Sequence, residues 1–141
     1  IISIMKKQLL KASLLVLPAI VLMSCNRLTD EAKAMVGDYY IPEISQDQPI
    51  FELKDNGKCV VSAVEPNVLT YHIEGKWNVI DDSLKIELDP QKITFEGDST
   101  LIPEIKDRHR SYAVVSYNDI NLVVRRDGLQ YSLHRHVDEE D

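Results

Sequence analysis

The chain has 141 residues, of which 44% are hydrophobic and 28% charged, with a net charge of −7 at neutral pH. That length suits one domain with a modest core, and that charge excludes a nucleic-acid-binding surface, which needs a concentrated basic face. With two cysteines and 6% aromatic residues, neither a disulfide framework nor a wide aromatic-lined cavity is expected.

Taken in order, the first element reads as an export signal. Lys6, Lys7 and Lys11 precede an apolar run over 14–23, and small Ser24 stands directly before Cys25. Residues 1–4, upstream of Met5, add nothing that a signal needs. The run is shorter than the about 20 residues that cross a bilayer, and Pro18 interrupts it. Leu22-Met23-Ser24-Cys25 resembles the lipobox of bacterial lipoproteins, and the resemblance implies a signal peptide over 1–24, cleavage before Cys25, and diacylglycerol on its thiol. Each buried CH₂ contributes about 0.8 kcal/mol, so two or three acyl chains make a durable anchor. All 23 acidic residues follow Cys25. Charge therefore does not draw the domain to anionic lipid, and the membrane is reached through the lipid on Cys25. With Cys25 acylated, Cys59 has no partner in the chain and reads as a buried core residue.

Residues 25–35 read as the lipidated cysteine, a tether and a short helix. Thr29 can cap, Asp30 and Glu31 oppose the positive end of the helix dipole, and Gly37 stops the helix. From 36 to 137 the pattern changes to short runs of period two. Strands are predicted at 36–41, 50–54, 58–64, 69–80, 84–89, 92–96, 111–117, 120–126 and 129–136. Leu84, Ile86 and Leu88 alternate with Lys85, Glu87 and Asp89, which places one face on a core and the other in water. Asp55-Asn56-Gly57 and Asp127-Gly128 supply residues that accept positive φ in tight hairpins. Local connections of this kind predict an all-β antiparallel meander, and 138–141 form an acidic, solvated tail.

The order of elements resembles the lipocalin-like lipoproteins common in gut-dwelling Gram-negative anaerobes. The residues that carry it are Met35-Val36-Gly37-Asp38-Tyr39, where the family has Gly-x-Trp, the Lys54-Asp55-Asn56-Gly57-Lys58 hairpin, Glu74-Gly75-Lys76-Trp77 with Leu84-Lys85-Ile86, and the closing Gln130-Tyr131-Ser132-Leu133-His134-Arg135. The resemblance implies an up-and-down barrel of about eight strands after a short N-terminal helix, an interior holding side chains or one small ligand, and an outer-membrane address on the cell surface or the periplasmic face. Tyr39, Phe51, Leu53, Tyr71, Trp77, Phe95, Tyr112 and Tyr131 are the large residues placed inward or at the mouth. Six of them, Tyr39, Phe51, Tyr71, Trp77, Tyr112 and Tyr131, are the candidate ligand-binding set. So few aromatics favour a filled or narrow barrel.

Three other groups invite chemistry. His134 and His136 share one face of the last strand, the weak candidate for a metal, with a third ligand to come from Asp138, Glu139 or another strand. The connection over 97–110 carries Lys106, Arg108, His109 and Arg110, a basic patch suited to an anion or an acidic partner. His72 lies on a polar strand face. No Gly-x-Ser-x-Gly elbow, His-Glu-x-x-His pair, phosphate loop or dinucleotide glycine pattern occurs, so neither an enzyme nor a cofactor is expected. The expected function is a lipid-anchored barrel binding a small apolar or amphipathic ligand. The alternative is an accessory subunit that docks through the 106–110 segment on a larger outer-membrane complex such as a nutrient transporter.

Overall fold

The computed structural model of the protein describes residues 27–136. The signal segment, Cys25 and the acidic tail lie outside the described residues. A short helix, α1 (Asp30–Ala34), leads into β1 (Gly37–Tyr40), β2 (Phe51–Leu53), β3 (Lys58–Glu65), β4 (Leu69–Ile80), β5 (Ser83–Gly97), a 3₁₀ turn (Ser99–Leu101), β6 (His109–Tyr117), β7 (Asn121–Arg126) and β8 (Leu129–His136). Each strand pairs antiparallel with the next, and β1 closes on β8. The result is a closed eight-stranded up-and-down barrel behind a short helix.

Turn chemistry sets this register. Asp81 and Asp82 adopt φ of 50° and 59°, and Asp127 and Gly128 adopt 52° and 78°. Both are two-residue hairpins whose backbone twist matches the strands. The predicted strands 84–89 and 92–96 are one element. Their partner, β4, is continuous, but pairing jumps from Gly75↔Leu88 to Ile73↔Ile93. Pro90 falls inside the jump because it has no N–H for the ladder, and the Gln91 N–H turns onto the Asp89 carboxylate at 3.0 Å instead. A second difference lies at the start of β6, which begins at His109 because its first residues pair with Glu87 and Ile86. The predicted connection is therefore shorter, and Arg110 belongs to a strand.

The end of the barrel nearest α1 is packed solid. Ala32, Met35, Tyr39, Trp77, Val79 and Leu84 are buried there. Thr29 caps α1 by accepting from the Ala32 N–H at 3.1 Å, and its hydroxyl donates to the Val79 carbonyl at 2.6 Å. Asn78 accepts from the Thr29 N–H and donates to the Arg27 carbonyl, both at 3.0 Å. Arg135 donates from Nη2 to the Ala34 and Val36 carbonyls at 2.7 and 2.8 Å, tying β8 to the helix end. These bonds satisfy helix-end groups that would otherwise be left open. Tyr39, standing where the resembling family has tryptophan, donates its hydroxyl to the Met35 carbonyl at 2.6 Å.

Candidate ligand cavity

β1 runs away from α1, so the β1–β2 connection lies at the opposite end of the barrel. There a cavity of about 410 Å³ opens to solvent. Its walls come from the inward positions of the strands: Phe51 on β2, Val61 and Ala63 on β3, Tyr71 and Ile73 on β4, Tyr112 on β6, Tyr131 and Leu133 on β8. Ile41, Ile44 and Ile50 of the β1–β2 connection close over it. Space survives here because Ala63, directly opposite Tyr71 in the β3–β4 register, presents only a methyl group. Phe51, Tyr112 and Tyr131 form an edge-to-face series, with centroids 5.5 and 6.5 Å apart and rings inclined at 67° and 76°.

Two arginines join this apolar wall. Leu122, Val124 and Arg126 share the inward parity of β7, and Arg110, Tyr112 and Val114 share that of β6. Each series ends at the mouth in a guanidinium that lines the cavity. Arg126 stacks over the Tyr112 ring, 5.5 Å from its centroid, and its Nη2 forms an ion pair with the Asp107 carboxylate. Arg110 donates from Nε to the Asp107 carbonyl at 3.3 Å. Among the described residues it has no carboxylate partner. Burial raises the Tyr112 hydroxyl above the usual tyrosine range, and the nearby Arg110 guanidinium pulls it partly back.

Of the six aromatic candidates, Phe51, Tyr71, Tyr112 and Tyr131 come together around the cavity. Tyr39 and Trp77 do not. They sit in the packed base, where the Trp77 Nε1–H donates to the Lys54 carbonyl at 2.8 Å. Phe95 lies beyond the stretch of β5 that β6 covers and is 50% exposed. The basic patch divides. Lys106 is exposed on the connection. Arg108 lines an outer groove of about 380 Å³ with lysines and carboxylates of mixed sign, including Lys58, Lys76, Glu74 and Glu87. Only Arg110 reaches the cavity. Reading the strands missed Arg126, although its parity with Leu122 and Val124 was visible. It also missed Ile41 and Ile44, for which no local signal exists.

His134 and His136 are exposed on the outer face of β8, and among the described residues no three His, Cys, Asp or Glu side chains converge as a metal site. His72 pairs with Ser62 across β3 and β4, Nδ1 to hydroxyl at 2.7 Å. Ser62 is buried, and its N–H is spent on the Ile50 carbonyl at 2.8 Å. Cys59 is buried in the core. No described helix is long and apolar enough to cross a membrane.

No family model and no curated protein matches the chain. An uncharacterized protein from Bacteroides eggerthii is similar in structure, at 14% identity and a TM-score of 0.45, over 72% of this chain and 94% of that one.

Proposed function

We propose that the protein is a lipid-anchored lipoprotein of the outer membrane whose lipocalin-like barrel binds one small apolar or amphipathic molecule and catalyses nothing. The observation that carries this reading is the cavity itself: about 410 Å³, mostly apolar, open at one end of an otherwise packed barrel. That size falls in the ordinary range for small-molecule sites, about 300–1,000 Å³. The chain's entry point also supports it. The Arg27 carbonyl is held by Asn78 at the closed base, and Cys25 precedes it by a reach of about 7 Å of extended chain. A lipid on Cys25 would hang from the base, and the mouth would face away from the bilayer.

The test uses N-phenyl-1-naphthylamine, a neutral probe, with the full chain in phosphatidylcholine vesicles. Trp77 is the single tryptophan, so saturable energy transfer from it reports probe held in the barrel, whereas probe dissolved in the lipid adds an unsaturable background that is subtracted. Saturable transfer in the wild type that is lost in Ala63→Phe, which fills the space opposite Tyr71, is the expected result. Unsaturable transfer, or transfer indifferent to Ala63→Phe, would overturn the reading.

A further inference from the structure

The two guanidiniums of the mouth are not equivalent. Arg126 already has its counter-charge in Asp107 and its π-face in Tyr112. Arg110 has neither an acid nor a ring. Of its five N–H donors, one makes a long contact from Nε to the Asp107 carbonyl, 3.3 Å away, and another meets the Tyr112 hydroxyl, so both partners are neutral and the charge itself is uncompensated. The side chain is half-buried, and it borders a cavity lined by Phe51, Tyr112, Tyr131 and aliphatic residues. A cation drawn partly out of water against an apolar wall costs solvation free energy that an anion in the same place would return. The planar fork of the guanidinium is shaped for such a group, offering parallel donors to two oxygens of one head. Asp107 holds both arginines through different atoms, its carboxylate on Arg126 and its carbonyl on Arg110. It thereby fixes one beside the other while neutralising only one.

We propose that the cavity takes an amphipathic anion: an apolar body laid along Phe51, Tyr71 and Ile73, and a single carboxylate, phosphate or sulfonate head received by Arg110 at the mouth. This inference rests on the cavity reading above and goes beyond it in assigning the ligand a charge and the charge a residue. It also separates Arg110 from the basic patch of the connection, since Arg108 faces the outer groove and has no part in the site.

A matched pair of probes isolates the head. 8-Anilinonaphthalene-1-sulfonate and N-phenyl-1-naphthylamine share one aromatic body and differ by the sulfonate. With the full chain in phosphatidylcholine vesicles and transfer read from Trp77, the sulfonate binds the wild type more tightly than the neutral probe. Arg110→Gln weakens the sulfonate by about tenfold or more, as expected for loss of a charge-assisted bond. It weakens the neutral probe far less than the sulfonate, and an unchanged urea midpoint shows that the variant is folded. Arg108→Gln changes neither. Dodecanoate or dodecyl phosphate displaces the bound sulfonate, dodecanol does not, and the more effective of the two anions identifies the head chemistry. The proposal is overturned if the sulfonate has no advantage, if Arg108→Gln weakens it as much as Arg110→Gln does, or if dodecanol displaces it equally well. In those cases saturable binding of the neutral probe leaves the cavity reading standing. If neither probe gives saturable transfer in the wild type, both readings fall together.

Discussion

Cys59 and Tyr39 each hold their proton to a higher pH than they would in water. Burial pushes the Cys59 thiol from 9.0 up to about 12, with Lys54 opposing weakly. Burial likewise lifts the Tyr39 hydroxyl from 10.0 to about 12, against the pull of Arg135. Both groups are neutral when protonated, so the unfolded chain loses these protons first and the native state binds more of them. Stability must then fall as pH rises, starting near 9 for Cys59 and near 10 for Tyr39. The slope reaches about 1.4 kcal/mol per pH unit for each group. Urea unfolding at successive pH values checks this. In Cys59→Ala the decline should begin about one unit later, because only the raised tyrosine hydroxyls, Tyr39 and Tyr112, still contribute. A stability that stays flat from pH 8 to 11 would show that neither proton is held by the fold.

At the scale of elements, α1 is too short to be stable alone. It persists because Thr29 bonds both its own first turn and the Val79 carbonyl of β4. Thr29→Ala should cost about 1–2 kcal/mol in urea unfolding, yet leave probe binding at the far end unchanged. The β4–β5 pair depends on the missing side chain of Gly75. A Cβ there would lie 2.2 Å from the Glu87 carbonyl oxygen, a backbone atom that cannot swing aside. Gly75→Ala is expected to destabilise by about 1–3 kcal/mol through forced separation of the strands, read as a drop in melting temperature. The Gly-x-Trp run of Gly75 and Trp77 thus carries two requirements, close approach of backbones and a plug for the base.

For the whole molecule, the division between a sealed end and an open end matters most. Arg27 enters at the sealed end, so the proposed function keeps an anchor at Cys25 mechanically separate from binding at the mouth. Cys25→Ala should move the protein from the detergent phase to the aqueous phase on detergent phase partitioning, while the saturable signal from Trp77 is retained. Loss of the signal along with the anchor would mean that the cavity forms only at a membrane.

Local pattern was enough for the antiparallel meander, and its closure into a barrel was expected only through the family resemblance. Alternation such as Leu84, Lys85, Ile86 states which side faces water, and Asp127-Gly128 states where the chain must reverse. Both are local facts, readable without neighbours. The cavity is another matter, because a void belongs to residues that folding brings together from several strands. Ala63 and Tyr71 are hairpin neighbours, but the space beside the Ala63 methyl becomes a cavity because Tyr112 of β6 and Tyr131 of β8 line it from elsewhere in the barrel. Tyr39 and Trp77, aromatic like Phe51 and Tyr112, fall in the base because α1 and Arg135 close over that end. Arg110 read as part of a loop because its strand partners, Glu87 and Ile86, lie across the barrel wall. Pairing with them turns its guanidinium inward beside Arg126. Strand parity fixes the direction of a side chain, but closure of the sheet decides what it meets there.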